Sequence, residues 1–212
     1  MSKPILAAFF IILASFIIAI TLYPVMPAVM ASHWNANGVV NGHLSKFWGL
    51  FLMPIISIVL LLLFLFIPKI DPLKENIAKF RSSFDRFIVL IELFFFYVYI
   101  LTILSNLGGK INISYAIIPA LSILFYYVGV MMGQTKRNYF IGIRTPWTLA
   151  NDEIWDKTHQ LGGKLFKVAG IVSLIGLILP NKIGLFVAIG FIIAAAIIPV
   201  VYSYIIWRKI KN

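Results

Sequence analysis

Long apolar runs separated by short polar connections set the character of this chain. Six runs reach spanning length, at residues 5–23, 47–67, 87–104, 111–132, 164–179 and 183–207. A helix that crosses a hydrocarbon layer of about 30 Å needs roughly 20 apolar residues, because each residue rises about 1.5 Å and a backbone in lipid must satisfy its own hydrogen bonds. Residues 55–67 are apolar on every face, which excludes the apolar/polar alternation of a membrane β-barrel strand. The pattern predicts an all-α integral membrane bundle of six transmembrane helices, a multi-pass protein of the cell membrane with residues 1–212 as a single polytopic domain. The first run is longer than the apolar region of a secretory signal and no small-x-small cleavage pattern follows it, so it is expected to remain as a helix.

The connections divide the cations unevenly. Residues 24–46 join the first two runs and residues 133–163 join the fourth and fifth; residues 68–86 are short and highly charged, while 105–110 and 180–182 are tight turns. If alternate connections lie on opposite sides, fifteen of the 18 Lys and Arg residues fall on one side, and that side is expected to be cytoplasmic, with both termini inside. This distribution also accounts for the net charge of +11 through attraction to anionic inner-leaflet lipid, with no direct nucleic-acid contact. The hydrophobic fraction of 61% and mean hydropathy of +0.99 exceed what a soluble core of this size can hide, so the lipid bilayer is the expected surrounding. The absence of cysteine excludes disulfides, a thiol nucleophile and Cys-based metal sites. Pro54, Pro119 and Pro199 should bend their helices, and Gly129 with Gly133 should allow a close helix approach. With no internal repeat, nothing in the chain points to an inverted-repeat transporter.

Two connections carry information. In the outer loop, 24–46, Pro24 and Pro27 end the first helix, and Asn37-Gly38 and Asn41-Gly42 are turn dipeptides, so a compact folded loop is expected. His33 and His43 are ten residues apart with no carboxylate on their side, a poor basis for a metal site. In the cytoplasmic loop, 133–163, Thr145-Pro146 and then Asn151-Asp152-Glu153 are helix-start signals. The second should open a short amphipathic helix at the inner membrane surface, with Ile154, Trp155, Thr158, Leu161 and Leu165 on one face and Gly162-Gly163 as its stop. Trp147 and Trp155, taken alone, read as interface anchors.

The string GIRTPWTL at 142–149, with Asn138 upstream and Glu153, Trp155, Thr158-His159 and Gly162 downstream, resembles the signature of the SdpI family of bacterial immunity proteins. Pro27, His33-Trp34-Asn35, Gly38, Gly42 and Lys46 are similar to the loop of the uncharacterised membrane domain that usually precedes that region. The resemblance covers nearly the whole chain. It implies a membrane immunity protein that resists a secreted, membrane-active peptide toxin on its outer face. As in the family's best-known member, it further implies a transcriptional repressor held on the cytoplasmic face. The expected contact residues are His33, Trp34, Asn35 and Gly38 outside, and Asn138, Arg144, Thr145, Pro146, Trp147, Glu153, Trp155 and His159 inside.

Chemistry has little to work with. Glu92 is the one carboxylate within a predicted span, to be satisfied either by an inner-loop cation such as Arg144 or by a proton or ligand. Glu153, Asp156 and His159 recur every third residue, but first-turn acids complementing a helix N-terminus explain the two carboxylates, and no nucleophile, phosphate loop or metal motif accompanies them. Arg144 could hold a carboxylate or phosphate in bidentate fashion. A non-enzymatic immunity or signalling protein without cofactor is the expectation; a small ion-coupled transporter using Glu92 and Arg144 is the alternative.

Overall fold

The structure is a computed structural model and describes residues 2–211, the side chains of Asn181 and Lys211 excepted. In chain order it contains α1 (Lys3–Leu22), β1 (Val29–Trp34), β2 (Val40–Ser45), α2 (Lys46–Ile70), α3 (Lys74–Lys79), α4 (Arg81–Asn106), α5 (Ile113–Met132), α6 (Pro146–Ala150), α7 (Asp152–Ser173), a 3₁₀ turn (Leu174–Ile178) and α8 (Asn181–Lys211). Among the described residues six helices, α1, α2, α4, α5, α7 and α8, are long and apolar enough to cross a bilayer. Their outward faces carry exposed Phe, Leu and Ile, as a lipid solvent requires.

The helices form two groups. α1, α2 and α4 pack together, as do α5, α7 and α8, and α4 against α5 is the main helical joint between them. The first group encloses two apolar clusters, one around Ile12, Phe84 and Ile88 and one around Met30, Leu50 and Tyr99. The second group is built around Phe166, Ala169 and Ala195.

The fifth span differs from the sequence reading. Gly162 and Gly163 do not stop a surface helix; α7 runs through both, so the amphipathic segment and the span are one continuous helix. Glycine costs a helix about 1 kcal/mol relative to alanine, but here it permits a backbone contact. A Cβ on Gly163 would lie 2.8 Å from the Gly129 carbonyl oxygen, and one on Gly129 2.6 Å from the Gly163 oxygen. Unwinding would expose backbone polar groups at the membrane boundary, so close packing of α5 on α7 wins.

The loop at 24–46 folds as an antiparallel hairpin, strand structure that the apolar pattern did not announce. Ala31 pairs with His43 and Trp34 with Val40, with an irregularity near His33. Asn35 frames the turn: its side-chain oxygen accepts from the amides of Asn37 (2.9 Å) and Val39 (3.1 Å). Gly38 takes φ +77, and a side chain there would meet Asn112 at 2.8 Å. The hairpin is fastened to the bundle by Asn106 at the end of α4, which accepts from the Ala31 N–H (2.7 Å) and donates to its carbonyl (2.9 Å). Ser114 at the start of α5 donates to the Asn35 carbonyl (3.1 Å). Asn106→Ala removes both Ala31 bonds, each worth about 1 kcal/mol. The Ala31 amide is then expected to exchange with deuterium roughly tenfold or more faster, while α4 amides near Glu92 stay unchanged.

These contacts sort the connections by end. The hairpin, the α4–α5 turn and the turn before α8, where Tyr115 donates to the Leu179 carbonyl, share one end. The α2–α4 connection and residues 133–151 share the other, where the Asp71 carboxylate accepts from the Tyr139 N–H (2.8 Å) and Asn76 donates to the Arg137 carbonyl (2.9 Å).

Candidate functional site

The segment from Thr135 to Asn151 is a hook held by its own buried polar side chains. Asn138 has no exposed surface. Its Oδ1 accepts from the amides of Phe140 (2.9 Å) and Ile141 (2.6 Å), and its Nδ2 donates to the carbonyls of Lys136 (2.8 Å) and Ile141 (2.9 Å). One amide side chain thus uses its whole donor and acceptor capacity to close the turn. Next, Gly142 adopts φ +115, and any Cβ there would collide with the imidazole of His159.

His159 is the other clasp. Its Nε2 accepts from the Ile143 N–H (2.9 Å) and its Nδ1 lies 2.8 Å from the Trp155 carbonyl. Those partners require a neutral ring with the proton on Nδ1. The ring stacks on Trp155 with centroids 3.9 Å apart, and the Trp155 indole N–H donates to the Thr135 carbonyl (3.2 Å). Trp155 is fully buried and is therefore no interface anchor.

Beyond the glycine, Thr145 caps α6 in a reciprocal pair with Thr148, and Pro146 occupies the first turn, where its missing N–H costs nothing. Thr148 also donates to the Ile143 carbonyl (2.8 Å), and Thr145 meets Ser203 of α8 at 3.1 Å. Asn151 caps α7 by accepting from the amides of Glu153 (2.8 Å) and Ile154 (3.1 Å). Both helix starts fall where the sequence placed them.

Residues 134–203 match the family described as the SdpI/YfhL protein family, and residues 10–58 match a domain of unknown function, DUF1648. Over 202 residues the chain is 25% identical to the immunity protein SdpI of Bacillus subtilis (strain 168), covering 95% of each chain. The hook and the helices after it are thus similar to the SdpI family. No solved structure matches it.

The SdpI-family match begins at the hook and continues through α7 into α8. The DUF1648 match covers most of α1, the hairpin and the first half of α2. The structure divides the expected contact residues into two sets. Asn138, Thr145, Trp155 and His159 are buried and hydrogen-bonded inward. Arg144 and Glu153 are exposed and Trp147 is half-buried, its ring 5.0 Å from Tyr204. At the far end His33 is exposed, with Nδ1 on the Asn41 side-chain oxygen, while Trp34, Asn35 and Gly38 shape the turn.

The expected pair between Glu92 and Arg144 does not form. Arg144 donates to the Tyr139 carbonyl (2.8 Å), five residues back along its own hook. Glu92 of α4 is fully buried. Neither carboxylate oxygen has a partner at full hydrogen-bond geometry among the described residues, and the Ser57 hydroxyl of α2 is its polar neighbour. Tertiary packing turns Glu92 into the first helix group and leaves Arg144 on the rim of the second. Sequence reasoning missed Asp71 and Asn76, which tie the α2–α4 connection to the hook. Asp71-Pro72, a turn dipeptide, is the only signal the sequence offers for them.

Proposed function

We propose that this protein protects its cell against a secreted, membrane-active peptide, with the hairpin end meeting the peptide and the hook end answering it on the cytoplasmic side. The observation that carries this reading is the collinear match, 95% of each chain, to an immunity protein. The asymmetry of Lys and Arg supports the orientation. At the hairpin end, exposed Val29, Val39, Phe47 and Trp48 offer apolar surface at an interface where a membrane-active peptide would lie. At the hook end, Arg144, Trp147 and Glu153 form the surface left over after the buried members have fixed the fold, and this is the face to which a soluble regulator would be recruited. Arg144 supplies a free guanidinium edge and Trp147 an aromatic anchor, the residue types that dominate protein contacts.

The test is expression in peptide-sensitive cells, with survival read against a panel of membrane-active peptides. Wild type is expected to raise the lethal dose of at least one peptide about tenfold, and Trp48→Ala to abolish that gain. Arg144→Ala with Trp147→Ala is expected to leave protection intact but to release any regulator from the membrane fraction. Unchanged killing by every peptide would overturn the reading. A second reading, ion-coupled transport, rests on the unpartnered carboxyl of Glu92; it requires flux into proteoliposomes that disappears in Glu92→Gln.

A further inference from the structure

The groove between α5 and α7 on the bundle's outer surface changes character along its length. Near the hook end it is a polar hollow of about 440 Å³ lined by Gln134, Gln160, Lys164 and Lys167 over glycine backbone. One turn further into the span, from Val130 to Tyr126 on α5 and from Lys167 to Ile171 on α7, it continues as an apolar hollow of about 310 Å³. That second hollow is bordered by Ile123, Tyr126, Ile171 and Leu174. These side chains are exposed on the helical surface. Gly129, Gly163 and Gly170 floor the groove because α5 and α7 touch backbone to backbone there.

Lys167 is the side chain that demands an occupant. Its stem lies against Gly129, 2.8 Å from where a Cβ would be. Gly129 sits three residues before the end of α5, so Lys167 enters the groove about 5 Å inside that helix end. Neither Lys167 nor Lys164 has an ion-pair or hydrogen-bond partner among the described residues, and the neighbouring Asp156 is taken by Lys136 at 3.2 Å. Two cations without a protein partner on one groove offer an anion a pair of charge-assisted contacts.

We propose that this groove is a binding site for one anionic phospholipid, its phosphate held by Lys164, Lys167 and the two glutamine amides and an acyl chain lying along Tyr126, Ile171 and Leu174. The sequence of charge, amide and apolar surface matches headgroup, glycerol linkage and chain in order. A second copy of the protein fits the groove poorly, since a symmetric contact would bring the lysine pairs of both copies together in a low-dielectric boundary. The bound lipid would brace the α5–α7 crossing immediately below the hook.

The experiment is native mass spectrometry of the full chain in detergent, titrated with dioleoylphosphatidylglycerol or dioleoylphosphatidylcholine. Wild type is expected to retain one phosphatidylglycerol in preference to phosphatidylcholine. Lys164→Gln with Lys167→Gln should weaken that retention by about tenfold or more, and Lys69→Gln with Lys74→Gln, an equal loss of charge elsewhere at the same end, should leave it unchanged. Glycerol 3-phosphate, which has the anion without the chain, should not displace the lipid. Equal losses in the two double variants would overturn the proposal as general charge attraction. Displacement by glycerol 3-phosphate would replace it with a soluble-anion site. Absence of any phosphatidylglycerol preference, or a dimer that excludes lipid, would also overturn it.

Discussion

Gly142→Ala is expected to cause the largest loss of stability of any single methyl addition at the hook end. At φ +115 an L-residue is held in sparsely allowed backbone, which costs about 1–3 kcal/mol by itself. The new methyl would also occupy the position of the His159 ring edge. His159 cannot withdraw without breaking the bond from the Ile143 N–H and the stack on Trp155. A buried amide left without a partner adds about 1–3 kcal/mol. The sum, about 3 kcal/mol or more, is a large share of a typical folding free energy. In detergent, the melting temperature of Gly142→Ala should fall well below that of Gly190→Ala in α8, where an added Cβ meets nothing within 4 Å. Equal melting of the two variants would show that the hook does not depend on this approach.

Asn138→Ala is expected to come next. Four bonds from one side chain are lost together, and the two buried ones leave the Ile141 amide without an acceptor and its carbonyl without a donor in an enclosed place. At about 1 kcal/mol net for each bond the loss is roughly 3–4 kcal/mol. Asn138→Asp separates the two halves of this account. The carboxylate can still accept from the amides of Phe140 and Ile141, but it can no longer donate to the carbonyls of Lys136 and Ile141, and it brings a charge into a closed site. Thermal unfolding should therefore rank wild type above both variants, and limited proteolysis should cut between Lys136 and Arg144 in each. Retention of wild-type resistance to cleavage in Asn138→Ala would remove Asn138 from its role as the knot of the hook.

Both predictions bear on how the SdpI-family signature is understood. Within it, buried Asn138, Thr145, Trp155 and His159 each bond a particular backbone group of the hook or of the helix start beside it, and Gly142 supplies the positive-φ turn between them. The exposed Arg144 and Glu153 and the half-buried Trp147 are the members left at the surface, where the proposed function would place a contact with a regulator. Residues bonded inward and residues left at the surface alternate along one short segment, so a scan that measures function without stability would mix them.

The apolar pattern by itself determined the six membrane helices, because lipid leaves a chain of long apolar runs no other way to satisfy its backbone. Local chemistry likewise determined the starts of α6 and α7, where Thr145 and Asn151 accept amides two or three residues on, and the Asn37-Gly38 turn of the hairpin. Tertiary structure alone decided three matters. It carried α7 straight through Gly162-Gly163, since the worth of those glycines lies in the approach of Gly129 from another helix. It buried Trp155 and His159, whose partners Thr135 and Ile143 come from the preceding loop. It separated Glu92 from Arg144, because packing direction, not hydropathy, sets which helix group a side chain faces. Interactions that close within a few residues are legible in sequence; those that depend on which helices touch are not.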